Sequence, residues 1–346
     1  MAMPEPHCVT PLDLPLIRRL FTQRMPLDFT ATLTRSMSGI ENAMLSSVPL
    51  TDLGAPTVVL RKDECGYVGQ FRQQAGKSVA FLTFLAPEPQ EGDISNWVRL
   101  LEFLAVEAGK RGAHLLNAEV PENHPAFRAL RTAGFNVYSR QVILCREAAP
   151  LPENAADGTV AHYNDVADKM RPAVDQDSLA LNVLYSNTVP RLLQQAEPQP
   201  GPETGGLVFQ QDDGQLAAYL AVYEGKSGIA IKPYFHPEVY DEAAAIIMSA
   251  LKHIPRAQQV PVYLYARAYQ DWLRGALEEV GFRAWAHQAL MVKYTVVRAE
   301  RFEMSPLPAL ETHRLRPPVA DGPLPLHKHL LLRLRGKKTE RRNGHT

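Results

Sequence analysis

The sequence predicts a mixed α/β (α+β) protein made of two similar halves, each a mixed, mostly antiparallel sheet with helices on both faces. Apolar runs typical of strands alternate with stretches of helical periodicity along most of the chain, so helices are expected to pack against a sheet. Three pairs of landmarks also recur in the same order at nearly constant separation, which indicates a duplication. The pairs are Asp13 and Asp165, Pro87-Glu88 and Pro237-Glu238, and Gly134-Phe135 and Gly281-Phe282, which lie 152, 150 and 147 residues apart.

The composition allows two domains and excludes several classes of protein. The chain has 346 residues, of which 45% are hydrophobic, and its net charge is zero, so the whole molecule is not built to bind polyanions. Cys8, Cys65 and Cys145 lie far apart and form neither a metal spacing nor a disulfide framework. The start, MAMPEPHCVT, lacks an apolar signal core, and no apolar run approaches the ~20 residues of a membrane span. We therefore expect a cytoplasmic protein that binds neither a membrane nor a metal.

A stretch rich in Pro and Ala separates the two halves. Residues 147–158, EAAPLPENAADG, have no apolar periodicity and are typical of a linker. We therefore predict a first domain over residues 1–146, a second domain over residues 159–298, and a C-terminal extension over residues 299–346.

In the first half, helices are predicted over residues 12–24 and 28–47. PTVVLRK and CGYVGQFRQ are typical of a strand pair, and SVAFLTFLA is typical of a buried strand. Apolar residues from Trp97 to Ala108 recur at helical spacing, and Gly112 ends that helix. HLLNAEV predicts the next strand, a short helix then ends at Gly134-Phe135, and NVYSRQVILCR predicts a last strand.

The second half repeats much of this order. GGLVFQQ, QLAAYLAVYEG and SGIAIKPYF predict three strands, and YDEAAAIIMSALKHI predicts a helix. VPVYLYAR then predicts a strand, DWLRGALEEVGF a helix and AWAHQALMVKYTVV a long final strand.

This order of elements resembles the GNAT superfamily of N-acetyltransferases, in tandem. The residues that carry the resemblance are VTPLDLPLIRRL, LLEFLAVEAGKRGAHLLNAEV and NHPAFRALRTAGF. The resemblance covers roughly residues 8–146 and, more faintly, residues 159–298. It implies a sheet that splays after its fourth strand, with acetyl-CoA or another acyl-CoA bound in the gap.

In that family, a turn of the form Gln/Arg-x-x-Gly-x-Gly/Ala opens the third helix, where free backbone N–H groups bind the CoA pyrophosphate. The sequence departs from this motif in both halves, and acidic residues at both helix starts would repel a pyrophosphate. A register shifted by two residues in the first half, through Gln90, Asp93 and Ser95, supplies no glycine either. With Leu85 from the fourth strand, the candidate cofactor-binding residues at these places are Gly92, Ser95, Tyr240, Ala243 and Ala245.

Asn123 is a further candidate for cofactor binding. It matches the family's Asn that hydrogen-bonds the pantetheine arm, and Gln270 stands at the corresponding place in the second half. Alternatively, Asn123 caps the helix whose first turn contains Pro125. On either interpretation, His124 needs no catalytic role.

Catalysis of amine acetylation needs a base for the incoming ammonium and an acid for the leaving thiolate. Many family members use a Tyr four residues before Gly-Phe as the acid, but Leu130 and Leu277 stand at those places. Glu119, at the end of the fifth strand, is the candidate catalytic residue of the first half, and Tyr265 and Tyr269 hold a similar place in the second. The alternative for all three is a strand-end residue that faces solvent.

The sequence leaves three functions open. The resemblance implies an acyl-CoA-dependent N-acyltransferase that acts on a small-molecule or peptide amine. The altered motifs predict, as an alternative, a catalytically inactive tandem GNAT-fold protein that binds a partner or a small ligand. The third is weak nucleic-acid association through the basic residues 327–346, for which a solvated tail is the alternative.

Overall fold

The computed structural model of the protein describes residues 5–34, 55–62, 65–74, 76–151, 166, 168–202 and 205–295. The described residues belong to one compact unit, and residues 296–346 lie outside them. The strands of the described residues form one continuous mixed sheet, and helices pack on both of its faces. The predicted fold class is therefore confirmed.

The first half contains the predicted strands and helices, together with two short strands that were not predicted. The elements are β1 (His7–Cys8), α1 (Leu14–Leu20), β2 (Met25–Pro26), α2 (Phe29–Thr34), β3 (Thr57–Lys62), β4 (Cys65–Gln73), β5 (Val79–Ala86), α3 (Ser95–Lys110), β6 (Leu115–Val120), α4 (Pro125–Thr132) and β7 (Asn136–Arg146). The helix predicted over residues 12–24 consists of α1 between two 3₁₀ turns. Of the helix predicted over residues 28–47, residues 35–47 lie outside the described residues.

The second half has the predicted elements from residue 206 onward. Its elements are β8 (Met170–Pro172), α5 (Ser178–Thr188), α6 (Arg191–Ala196), β9 (Gly206–Gln210), β10 (Leu216–Glu224), β11 (Ile229–Phe235), α7 (Ala243–His253), β12 (Val262–Arg267), α8 (Leu273–Glu279) and β13 (Arg283–Tyr294). The strand β8 and the helices α5 and α6 were not predicted. In α5, Leu181 is buried while Leu179 and Val183 are exposed, so its apolar residues do not form the single stripe that identifies a helix in a sequence.

A buried aspartate directly before α1 in the first half, and another directly before α5 in the second, mark the structural repeat. The backbone N–H of Thr10 donates to Asp13 at 2.9 Å, and the backbone N–H of Val174 donates to Asp177 at 2.9 Å. Both carboxylates also accept hydrogen bonds from an arginine. Asp165, the predicted counterpart of Asp13, lies outside the described residues, and Asp177 occupies the equivalent position.

The two halves exchange their last strands. The order across the middle of the sheet is β6-β13-β7-β12, so β13 from the second half lies between β6 and β7 of the first. Strand β7 in turn pairs with β12 of the second half. Gln141 and Gln288 face each other at the centre, and the Gln141 side-chain amide donates to Gln288 at 2.7 Å. The domain boundaries predicted at residues 146 and 159 remain a prediction. The sheets of the two halves, however, are joined into one.

The exchange also joins the two cores. Ala289 and Met291 of β13 pack with α3 and α4 in the core of the first half. Leu144 of β7 packs with α7 and α8 in the core of the second half. On the other face of the sheet, Phe29 of α2 packs against Ala230 and other residues of the second half. Each half therefore buries apolar surface that belongs to the other.

Candidate functional site

Each half contains a gap where two parallel strands diverge. Strands β5 and β6 pair only from Val79 to Phe81, and strands β11 and β12 pair only from Ile229 to Ile231. Beyond these pairs each strand continues without its parallel partner. These are the two places where the family resemblance puts acetyl-CoA.

The first gap is filled by the chain itself. Strand β2 pairs with the end of β5, and the backbone N–H of Leu27 donates to the carbonyl of Thr83 at 2.9 Å. On the other side, the backbone N–H of Glu119 donates to the carbonyl of Leu27 at 2.9 Å. The side chain of Leu27 is only 1% exposed. Leu27 therefore bridges β5 and β6 as an inserted strand within the first gap.

The second gap is closed by a side chain. The amide nitrogen of Gln270 donates to the carbonyl of Pro233 at 2.8 Å, and its amide oxygen accepts from the backbone N–H of Arg267 at 3.2 Å. The cavity next to this bridge measures about 10 Å³, which is room for about one water molecule. Gln270, the predicted counterpart of Asn123, thus binds its own strands.

The start of α3 is occupied by an acidic side chain. The backbone N–H of Ser95 donates to Asp93 at 2.9 Å, and its hydroxyl donates to the same carboxylate at 3.0 Å. Trp97 lies in the core of the first half, edge-to-face with Tyr67 at 4.9 Å between ring centroids. The backbone N–H of Ser95, which could meet a pyrophosphate, therefore already has a carboxylate partner.

The remaining candidates for cofactor binding are buried in the core or packed against other side chains. Ala243 and Ala245 at the start of α7 are buried in the core. Tyr240 stacks on Trp272, with 3.7 Å between ring centroids. Leu85 of β5 is likewise buried, and its strand position is paired with Met25 of β2. None of these four side chains lines the pocket described next.

Gly92 and Asn123 are the two cofactor candidates that the structure brings together. Both line a pocket of about 160 Å³ between the β5–α3 loop and the start of α4. Asn123 does not cap α4, so that alternative is wrong. His124 is the N-cap residue, because its ring Nδ1 accepts from the backbone N–H of Ala126 at 3.1 Å. Pro125 is the first residue of α4, as predicted.

Glu119 lies beside charged residues of the second half, in a group that we call the central polar cluster. Its carboxylate accepts from the backbone N–H of Phe29 at 2.9 Å. Nearby, Arg267 donates to Glu197 at 2.7 Å, and the hydroxyl of Tyr138 donates to the same carboxylate at 2.8 Å. The cluster consists of Glu119, Tyr138, Glu197, Lys232, Tyr265 and Arg267.

The charges of this cluster affect one another. Burial raises the pKa of Glu119, while the positive charge of Lys232 opposes that rise. Burial lowers the pKa of Lys232, Arg267 lowers it further, and Glu119 acts in the opposite direction. The Lys232 ammonium lies 5.4 Å from the ring centroid of Tyr265, whose pKa is raised by burial and then by Glu119. A carboxylate with a raised pKa is a stronger base than an ordinary one, whereas the raised pKa of the Tyr265 phenol makes it a weaker acid than an ordinary tyrosine.

The sequence had singled out Glu119 and Tyr265 separately, one in each half, and the fold brings them together. Tyr269, the other tyrosine candidate, lines the 10 Å³ cavity with Lys232 and Arg267. Lys232, Glu197 and Arg267 were missed. The available signal was a charged residue within an apolar strand run, as in SGIAIKPYF.

Among the described residues, no group of three or more His, Cys, Asp or Glu side chains is placed to hold a metal ion. In the same part of the chain, no helix combines the length and the apolar character that a membrane crossing needs. The basic residues 327–346 lie outside the described residues.

Comparisons with solved structures identify the fold. A GCN5-related N-acetyltransferase from Sphaerobacter thermophilus matches with a TM-score of 0.52 and 14% identity, over 85% of this chain and 97% of that one. A GCN5-related glucosamine N-acetyltransferase region of a fungal multi-domain GH3 β-N-acetylglucosaminidase matches with a TM-score of 0.50 and 14% identity. That match covers 85% of this chain and 38% of the fungal one. The chain therefore has the GNAT superfamily fold.

The sequence comparisons add no closer relationship. No protein-family model matches the chain, and no curated protein matches it.

Proposed function

We propose that this protein uses the GNAT fold to bind a small ligand and that its two gaps do not hold acyl-CoA. The observation that carries the proposal is the backbone bridge of Leu27 between Thr83 and Glu119. A CoA arm in that gap would have to break both hydrogen bonds and expel a buried side chain. Exposing a leucine side chain alone costs about 1.5–3 kcal/mol.

The second gap supports the same proposal. The Gln270 bridge to Pro233 closes the gap, and Tyr240 and Trp272 stack beside the start of α7. Acidic residues at both helix starts oppose a pyrophosphate, because the positive end of the helix dipole already has a negative partner.

The test is a titration of the full chain with acetyl-CoA and with longer acyl-CoAs, followed by thermal unfolding. A ligand at a hundredfold excess over its Kd would add about 2.7 kcal/mol to the free energy of unfolding. We expect no change in Tm at millimolar acyl-CoA. A saturable rise in Tm, or release of free CoA detected by chromatography in the presence of amines, would refute the proposal.

A second candidate is the acyl-CoA-dependent N-acyltransferase that the family resemblance implies, with a small-molecule or peptide amine as acceptor. The central polar cluster favours it, because Glu119 has the raised pKa that a general base needs. The second gap is also closed only by the side chain of Gln270, not by backbone.

The N-acyltransferase candidate predicts that acyl-CoA releases free CoA only when an amine is added. Glu119→Gln should then lower the rate at least about 100-fold, the usual contribution of a general base. Glu279→Gln, which changes an exposed acid at the end of α8, should leave it unchanged. Equal rates in the two variants would remove Glu119 from the mechanism.

A further inference from the structure

The helix α5 and the residues on either side of it expose an unusual amount of apolar surface. Eight large hydrophobic side chains are exposed among the described residues, and four of these eight lie within residues 174–192. The four are between 48% and 76% exposed, and they are Val174, Leu179, Val183 and Leu192. Single exposed hydrophobic side chains are ordinary, but a concentration of them indicates an interaction surface.

The core of the chain does not use this side of α5. Leu181, Leu184 and Tyr185, on the opposite side of the helix, are buried against the sheet. Leu179 and Val183 are four residues apart, so they lie next to each other on the outer side. We call the exposed residues of α5, together with Val174 and Leu192, the α5 face.

The exposed residues of α5 carry no charge. They are Ser178, Leu179, Ala180, Asn182, Val183, Ser186 and Asn187. In a symmetric dimer the same patch is used by both copies, so any charge near the symmetry axis would meet a like charge. An uncharged helix face avoids this repulsion and therefore suits contact with a second copy of the chain.

Opposite charges stand at the two ends of this face. Asp175 precedes α5 and Arg191 follows it, and both side chains are exposed. Neither takes part in an ion pair within the described part of the chain. Val183 is the central residue of α5, and Asp175 and Arg191 are each eight residues away from it. Two helices that pack antiparallel about Val183 would therefore bring Asp175 of each copy towards Arg191 of the other.

We infer that the α5 face is the interface of a two-fold symmetric homodimer, in which the two copies of α5 pack antiparallel and meet at Val183. Val174 of one copy then lies towards Leu192 of the other, because each is nine residues from Val183. The attraction between Asp175 and Arg191 acts at both ends of the interface and fixes the antiparallel orientation.

The size of the α5 face sets the expected affinity. One helix of 11 residues offers less area than the ~800 Å² that each partner buries in a standard stable interface. We therefore expect a reversible dimer with a Kd in the micromolar range. The inference does not depend on the proposed ligand-binding function, since no ligand takes part in the contact.

Sedimentation velocity of the full chain tests the dimer. Loading concentrations from about 1 to about 300 µM span the affinity expected for so small an interface, and they should show a monomer–dimer equilibrium. A monomer at every concentration would overturn the inference and leave the α5 face to a different protein partner.

Val183→Glu locates the interface on α5. It places two carboxylates against each other at the symmetry axis and should raise the Kd of the dimer at least about tenfold. Val106→Glu, which changes a similarly exposed valine on α3, is the matched control and should leave the Kd unchanged. Circular dichroism checks that both variants are folded. A folded Val183→Glu variant that dimerises as well as the wild type would overturn the inference.

Charge reversal tests the antiparallel orientation. Asp175→Arg and Arg191→Asp each put like charges together at both ends of the interface, so each should raise the Kd at least about threefold. The double variant exchanges the two charges and should restore the Kd of the wild type. If both single variants match the wild type, or if the double variant does not recover, the antiparallel contact is wrong.

Discussion

Glu119 owes its chemical properties to residues that lie far from it in the sequence. Phe29, which donates its backbone N–H to this carboxylate, is 90 residues away, and Lys232 comes from the other half. Burial disfavours the charged carboxylate more than Lys232 favours it, so the pKa is raised. A raised carboxylate pKa means that ionisation weakens the folded state.

Glu119→Gln should therefore become relatively more stable as the pH rises. In the unfolded chain, Glu119 loses its proton near pH 4.5, whereas the folded protein retains it to a higher pH. Wild-type stability therefore falls between these two pKa values, by about 1.4 kcal/mol per unit of difference. The glutamine variant has no such loss and still offers an oxygen to Phe29.

Urea denaturation at pH 4 and at pH 8 measures this difference. The stability of the variant relative to the wild type should be greater at pH 8 than at pH 4. If the wild type gains on the variant at pH 8, the attraction between Glu119 and Lys232 outweighs burial, and the assigned direction of the pKa shift is wrong.

At the scale of single elements, the strand β2 is only two residues long, yet together with Leu27 it fills the first gap. It adds to the edge of β5 beyond the point where β6 leaves, and the next residue, Leu27, satisfies a carbonyl on one side and an N–H on the other. Strand ends that diverge would otherwise leave backbone groups without partners in the interior. The segment therefore stabilises the first half in the position where the family resemblance places a cofactor.

Leu27→Ala should destabilise the protein by about 2–5 kcal/mol, because it leaves a cavity at a buried position. Leu12→Ala is the matched control, since Leu12 is 84% exposed, and its effect should stay within about 0.5 kcal/mol. Chemical denaturation of both variants measures the difference. A loss below about 1 kcal/mol for Leu27→Ala would mean that the segment is not part of the stable core.

At the scale of the whole molecule, the strand exchange makes the two halves dependent on each other. Strands β6 and β12 would each lack a neighbour if the other half were absent, because β13 and β7 fill those places. Residues of each exchanged strand also belong to the other half's core. A separate half would therefore expose both an unpaired strand edge and apolar surface.

Residues 1–151 and residues 152–298 should each fail to fold when expressed alone. Expressed together as two chains, they should associate and show cooperative unfolding, because the pairings β6–β13 and β7–β12 do not require a covalent link. Size exclusion and circular dichroism of the separate and combined fragments provide the measurement. A stable, folded fragment 1–151 would contradict the dependence.

Much of the fold could be predicted from the sequence, but less of the site. Apolar periodicity identified β3 to β6, α3 and α4, and their counterparts from β9 to β13, because these elements bury a regular stripe or alternate face. Short elements such as β2 were missed, since two residues carry no period. Glu119 was chosen as the nearest carboxylate of the first half, at the end of the fifth strand, whereas Lys232 was missed.

The sequence by itself predicted the mixed α/β fold class, the repeat of its landmarks and, through the family resemblance, the absence of the pyrophosphate-binding turn, because each landmark or motif is a short stretch of neighbouring residues. Only the tertiary structure decided which strand lies next to which, and what fills each gap. The exchange of β7 and β13, the bridge at Leu27 and the contact between Glu119 and the second half all join residues from about 56 to more than 100 positions apart. Such pairings depend on the packing of the whole sheet, and no local pattern of residue types specifies them.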